Sequence, residues 1–235
     1  MTRRRWIADE VSGTRAALTG AHADHLSRVL RARIGQEFDV VANGVLHRGR
    51  IASIGDTRVE FELGEELPSL ATPVQLSLLL AIFKFDRMEW AIEKCTELGV
   101  VRIIPLIARR TDPHLASASS KRVDRWRRIA LQASEQSRRA TPPEISNPAE
   151  LPDALAIPAR FKLLLSEAED QSHLRDIQPN RDDDVLLAIG PEGGWTQDEL
   201  ELFRANGWIS VSLGPTILRA ETAAIAATAI MMSLG

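Results

Sequence analysis

Two loops in the last fifth of the chain limit its fold more than any other feature. Gly190-Pro191-Glu192-Gly193-Gly194 follows Val185 to Ile189, a short run almost wholly apolar, as in a strand covered on both faces of an α/β domain. Gly214-Pro215-Thr216-Ile217-Leu218-Arg219-Ala220-Glu221 follows a second run, Trp208 to Leu213, and leads into an alanine-rich terminal helix. Between the loops, Thr196 with Glu199 three residues on forms a capping box, Leu200 and Phe203 open an apolar helix face, and Gly207 ends it. The order strand, glycine turn, helix, strand, irregular loop, helix brings both loops to one edge of a sheet. The glycines of the first loop let a ligand approach the main chain, while Pro191 stiffens it.

The 235 residues, 44% hydrophobic, suffice for one large domain or two modest ones. A single cysteine, Cys95, excludes an internal disulfide framework and points to a reducing cytoplasm. The start, MTRRRWIADE, lacks the apolar run of a secretory signal, and no segment has the length of a membrane span, so a soluble chain is expected. Net charge is -3, but its distribution is uneven. Residues 1–73 carry 10 basic and 10 acidic side chains, residues 74–148 carry 13 and 8, and residues 149–235 carry 6 and 14. A polyanionic partner is therefore expected on the first two segments.

Arg3, Arg4 and Arg5 adjoin Trp6 in an expected edge strand, an arrangement that serves either nucleic-acid contact and stacking or plain solubility. Leu26, Val29 and Leu30 have helical spacing, with Arg28, Arg31 and Arg33 around them. Glu37 to Ala42, Val45 to Ile54 and Thr57 to Leu63 read as short strands; Asn43-Gly44 marks a hairpin, and Thr57, Val59, Phe61 and Leu63 alternate with charged residues. A small β-barrel is expected from these strands. The turn-rich stretch Pro68 to Pro73 divides residues 1–70 from 74–235. Val74 to Ile82 is an apolar central strand, followed by Lys84 and Arg87 where it meets a helix. Asp86 with Glu89 suggests a capping pair, Met88, Ala91, Ile92 and Cys95 an inward face, and Gly99 a stop. From Arg102 to Arg139 there are 10 basic residues against 3 acidic; Arg109, Arg110, Arg138 and Arg139 flank loops and are candidates for phosphate contact. Arg160 to Leu165 is a further strand, after which Leu165 and Glu167 are expected on one wall of a ligand pocket. His22 and His25 lack ligands at useful spacing and Asp182 to Asp184 point different ways along a strand, so no metal site is expected.

IGPEGGW, SLGPTILRAETAA, KFDRMEWAIEKCTELGV and RWRRIALQASEQSRR together resemble the signature blocks of the bacterial small-subunit ribosomal RNA uridine-N3 methyltransferases, the RsmE family of the knotted SPOUT superfamily. The resemblance implies an α/β fold: a PUA-like RNA-binding β-barrel in residues 1–70, then a SPOUT domain in 74–235 with a C-terminal trefoil knot. It implies S-adenosyl-L-methionine as cofactor and, as substrate, 16S rRNA of the small subunit, with the family's uracil-1498 as the methylated base. It also implies a homodimer. The main chain of Gly190, Gly194, Leu213, Gly214 and Leu218 would recognise the donor, with Pro191 and Gly193 in the same loop and Ile189, Ile217 and Leu218 as apolar walls. No GxGxxG follows a strand, which disfavours the open nucleotide-binding methyltransferase fold.

Uracil N3 holds a proton at neutral pH and becomes a good nucleophile only when it loses it. A guanidinium beside the uracil oxygens favours the anion, which makes Arg219 the catalytic candidate; its alternative role is to pair with Glu221. Glu192 is either a base or a brace for the loop, with nearby amides favouring the brace. Lys84 and Arg87 join Arg3, Arg4, Arg5, Arg28, Arg31, Arg109, Arg110, Arg138 and Arg139 as candidate RNA contacts. A non-catalytic RNA-binding factor and a knotted ribose 2'-O-methyltransferase are the competing readings.

Overall fold

The computed structural model describes residues 5–67, 74–137, 139–180 and 183–233. Arg3, Arg4, Arg138 and the expected boundary at 68–73 lie outside these. The chain divides into two compact units, Met1–Ala71 with Ser134–Thr141, and Thr72–Ala133 with Pro142–Gly235.

In the first unit, β1 (Arg5–Ile7), β2 (Glu10–Ser12), β3 (Arg15–Thr19), β4 (Glu37–Ala42), β5 (Val45–Ile54) and β6 (Arg58–Glu66) form one sheet in the order β1-β4-β5-β6-β3-β2. Its edge strands β1 and β2 are separated only by Ala8 and Asp9. The Ala8 N–H donates to Val41 and the Asp9 N–H to Ala17, so the sheet curls until its edges share one short segment. Asn43 (φ 49°) and Gly44 (φ 81°) form the two-residue turn between β4 and β5, because a twisted hairpin needs positive φ at both positions. Inward residues of β3 to β6, Leu18, Val40, Ile51, Val59 and Phe61, fill the core. Trp6 belongs to that core and is 5% exposed. Its indole is therefore a packing element and not a stacking platform, which corrects the sequence expectation. Short α1 (Gly20–Asp24) runs into a wider π turn, His25–Val29, where one continuous helix was expected.

The second unit contains β7 (Gln75–Ala81), α2 (Phe85–Leu98), β8 (Arg102–Ile107), α3 (Pro113–Ser119), α4 (Val123–Ser137, whose last turn counts with the first unit), β9 (Glu144–Ile145), β10 (Ala149–Glu150), α5 (Leu151–Leu155), β11 (Phe161–Leu165), β12 (Asp184–Ile189), α6 (Gln197–Ala205), β13 (Ile209–Val211) and α7 (Ala220–Ser233). Every pairing is parallel, in the order β10-β8-β7-β12-β11-β13 with β9 also on β8. Because side chains alternate across a strand, Leu76, Leu78, Leu80, Leu163, Val185 and Leu187 enter one core with Met88, Ile92, Trp126 and Ala224, while Leu79, Ile104, Leu164, Leu186 and Ala188 enter the other with Phe203 and Trp208. Burial on both faces is why these strands read as unbroken apolar runs.

Gly99 at φ 116° stops α2, and Met88, Ala91, Ile92 and Cys95 are buried as the periodicity requires. Burial pushes the Cys95 thiol up to about 12, partly countered by Thr228, so it stays an inert core thiol. The expected Asp86–Glu89 cap is absent. Lys84 occupies the N-cap without a side-chain bond, and Glu89 instead receives both prongs of Arg125 at 2.6 and 2.8 Å.

Candidate active site

The carboxyl ends of β11, β12 and β13, with the segment after β7, surround a cavity of about 530 Å³. Parallel strands present their carboxyl ends, and the loops that follow, on one edge of the sheet, and ligands gather there. Among the expected donor residues, Leu165, Glu167, Ile189, Gly190, Pro191, Gly194, Leu213, Gly214, Ile217 and Leu218 all line this cavity. Gly193 does not. Its carbonyl accepts a bond from Arg110 Nη1 at 2.6 Å, and a Cβ there would stand 3.3 Å from Arg110 Cδ.

Each glycine has its own steric reason. Gly190 lies against Trp195, where a Cβ would come within 3.1 Å of Nε1, and that indole donates to the Leu165 carbonyl at 3.0 Å. Gly194 has φ +69°, and a Cβ there would meet Glu167 Oε1 at 3.1 Å. Gly214 has φ +124° with nothing within 4 Å of a Cβ, so it lends the loop its shape and leaves open space beside it.

Buried polar groups fix both loops. Glu199, 1% exposed, completes the capping box by accepting from the Thr196 N–H at 2.8 Å and hydroxyl at 2.9 Å, and its other oxygen accepts from the Arg109 N–H at 2.8 Å. The glycine loop is thereby tied to the segment after β8. Ser212 is joined to the connection between β11 and β12. Its hydroxyl and His173 Nδ1 share a hydrogen bond of 2.8 Å, the Leu174 N–H donates to its carbonyl at 2.9 Å, and its own N–H donates to Ser172 at 2.9 Å.

Lys84, Arg87, Glu192 and Arg219 share the rim. Arg87 Nη1 donates to Glu221 Oε1, an acid only 5% exposed, and this contact raises the arginine's already high pKa. Glu221 is thus paired with Arg87, not Arg219. Among the described residues the Arg219 guanidinium makes no ion pair, and Glu192 is an exposed carboxylate without a loop amide bonded to it, so the expected brace is missing.

The other candidate cations are dispersed. Arg28 is exposed and 3.4 Å from Asp24, and Arg31 is exposed at φ 51°. Arg5 is half-buried in β1. Arg109 and Arg110 are exposed beside the glycine loop, but Arg110 is engaged with Gly193. Burial lowers Arg139 to about 10, which corrects its reading as an open loop arginine.

Sequence reasoning missed Trp195, Ser166, Ser212 and Thr216 in the cavity wall. Trp195, an aromatic directly after a glycine loop, carried a usable signal; the His173–Ser212 contact, spanning 39 positions, had none. Among the described residues, no group of three or more His, Cys, Asp or Glu is arranged to hold a metal, and no helix is long and apolar enough to cross a membrane.

A glycine-walled cavity beyond the carboxyl ends of parallel strands defines an α/β protein built to hold a small molecule against its main chain. Residues 71–232 match the family described as an RNA methyltransferase domain. Ribosomal RNA small subunit methyltransferase E of Rickettsia conorii is 36% identical over 219 residues, 91% of this chain and 87% of the relative. The Synechocystis protein of the same name is 34% identical over 96% of this chain and 75% of its own. The crystal structure of ribosomal RNA small subunit methyltransferase E from Neisseria gonorrhoeae bound to S-adenosyl methionine superposes with a TM-score of 0.88 at 31% identity, covering 99% of this chain and 98% of that one. A Legionella pneumophila methyltransferase in complex with the same cofactor gives 0.86 at 30% identity, with coverage of 99% and 98%. The chain belongs to the ribosomal RNA small subunit methyltransferase E family of RNA methyltransferases.

Proposed function

We propose that this enzyme transfers a methyl group from S-adenosylmethionine to N3 of a uridine in 16S rRNA of the small ribosomal subunit. The observation that carries this reading is the convergence of both glycine loops on one cavity, with Arg219 on its rim and Glu221 committed to Arg87. The names of the relatives and the cofactor held by the two structural neighbours support it.

The residues present fit the donor. The volume suits a nucleoside-sized ligand, and Gly214 leaves vacant the space that a Cβ would fill. The main chain of Gly190, Gly194, Leu213, Gly214 and Leu218 would hold its polar groups, with Leu165, Ile189, Pro191 and Ile217 as apolar walls and Glu167 beside them. When bound, S-adenosylmethionine supplies an electrophilic methyl group on a sulfonium.

Arg219 favours the deprotonated uracil by placing a fixed positive charge where negative charge develops on its oxygens. Glu192, on the same rim and unbraced, takes the proton from N3. The walls exclude water and align the acceptor nitrogen, the principal demand of a methyl transfer.

In this reading the curled sheet of the first unit is a PUA-like barrel with residues 1–70 as an RNA-binding domain. Residues 74–235 form a SPOUT domain whose last two loops close a trefoil knot. The working form is a cytoplasmic homodimer acting on rRNA, within the assembled small subunit, and the exposed Arg28 and Arg31 contribute phosphate contacts. Mass analysis of nucleosides from the 16S rRNA of unmodified small ribosomal subunits incubated with the enzyme and donor tests the chemistry. N3-methyluridine is the expected product; a 2'-O-methylated nucleoside would replace this reading by the ribose one, and donor bound without any product would make the chain a binding factor.

A further inference from the structure

We infer that Glu221 is a positioning residue that presents Arg87 to a phosphate of the target RNA at the mouth of the cavity, an inference that rests on reading the cavity as the methyl-donor site. Arg87 lies in the first turn of α2, where its positive charge opposes the positive end of the helix dipole. A cation placed there for solubility alone would be better accommodated at almost any other helix position. Glu221 offsets that cost from the first turn of α7, where its own negative charge suits the dipole of its own helix.

The pairing leaves capacity on Arg87. Glu221 is engaged through Oε1 only, its Oε2 being buried without a hydrogen-bond partner, and among the described residues Arg87 donates to no other carboxylate. A guanidinium has five N–H donors in a planar fork, so most remain available. The Arg87 side chain is 32% exposed and lines the cavity, whereas the Glu221 side chain is 5% exposed. The acid therefore acts as a buried anchor and the arginine as the group a ligand meets. Lys84 and Arg219 line the same cavity together with the exposed carboxylates of Glu167 and Glu192, so with Arg87 paired to Glu221 its lining charges balance, and the oriented Arg87 fork, not a net field, is what an anion meets. An anion approaching it meets a cation already oriented, and the fork of Arg87 matches the two free oxygens of a phosphodiester.

The test is the binding of unmethylated small ribosomal subunits to the enzyme at several salt concentrations, alongside donor affinity by calorimetry. Because Arg87→Ala leaves a buried acid unpaired, Arg87→Gln combined with Glu221→Gln is measured beside Arg87→Gln alone, Glu221→Gln alone and Arg87→Lys. Removing the arginine is expected to weaken RNA binding about tenfold, the loss of one charged hydrogen-bonding group. It should also lower the salt slope by about one counterion. Glu221→Gln alone should weaken RNA binding less, and should have no further effect once Arg87 is Gln. Arg87→Lys should keep the salt slope but recover only part of the affinity. An unchanged salt slope in the double variant, or a Glu221→Gln effect that persists without Arg87, overturns the proposal and leaves the pair as a staple between α2 and α7. Failure of the wild-type enzyme to bind donor would instead defeat the underlying reading of the cavity.

Discussion

Arg219 is the only basic residue after Arg204, and with Glu221 held by Arg87 it makes no ion pair among the described residues. Arg219→Ala is expected to slow single-turnover methylation about 100-fold while donor affinity holds, the usual cost of losing one preorganised partner for a developing anion. Lysine at that position should restore part of the rate, and higher pH should partly rescue the alanine variant because solvent then shares the deprotonation. Loss of donor binding with an unchanged rate on bound donor would make Arg219 structural. In the first unit, His22 stands between two acids, 3.1 Å from Asp9 and 3.7 Å from Glu135, under the edge of Trp6. The bond to Asp9 raises the His22 pKa against burial, with the charge of Glu135 adding to it. Burial pushes Asp9 up, but bonds from His22 and Thr19 outweigh it and hold the carboxyl low, whereas burial raises Glu135. A raised histidine stabilises fully below its unfolded pKa and loses that contribution as pH rises through its folded value. A lowered Asp9 keeps its contribution above its unfolded pKa and loses it only in acid, and the raised Glu135 gains stability as pH falls. Thermal melts should therefore show the wild type losing stability as pH rises above the ordinary histidine value and through the raised folded one, and His22→Gln should flatten that slope. An equal slope in the variant would mean that other groups set it.

Among the elements, α6 has the most exacting start. Glu199 accepts three bonds and links the helix to the Arg109 main chain, so its replacement removes half of the capping box and strands partly buried donors together. Glu199→Ala should cost about 2 kcal/mol, a cap worth about 1 kcal/mol plus an unsatisfied partly buried donor at about 1 kcal/mol, the low end of its usual cost. It should also weaken donor binding, because the loop it anchors walls the cavity; denaturant titration and calorimetry measure the two effects. Gly194→Ala acts differently. Its positive φ and the contact with Glu167 strain the loop directly, and donor affinity should fall with a smaller change in global stability. These elements were readable in advance because their signals are local: the capping box spans three positions, the hairpin two, and the doubly buried strands are unbroken apolar runs. Where signals conflicted, as at the start of α2, the nearby acid proved to have a distant partner in Arg125. A capping motif names residues able to cap, not those that do.

For the whole molecule, RNA affinity should follow the local basic surface and not the net charge of -3. With Arg139 half-buried, the pair worth neutralising is Arg28 and Arg31, both exposed. Alanine at both should lower the salt slope of RNA binding by about two while donor affinity holds. An unchanged slope would remove them from the interface. The small residues Ala220, Ala224 and Ala227 of the terminal helix are buried in this chain's own core, so the proposed dimer does not rest on them; equilibrium sedimentation tests it, and a fully active monomer would end it.

Periodicity, turn chemistry and the two glycine loops, all visible in the sequence, determined the parallel α/β unit, the small sheet before it and most of the cavity wall. Each depends on backbone geometry within a few residues, and that geometry is written into residue type. Only the tertiary structure decided who pairs with whom. Arg87 and Glu221 lie 134 positions apart, Arg109 and Glu199 lie 90 apart, and His22 meets Glu135 only because Ser134–Thr141 counts with the first unit. Charged and polar side chains carry no period that names a partner. Their bonds form wherever packing of the apolar faces brings two groups within about 3 Å, so the polar half of the site follows from the fold and not from any short stretch of sequence.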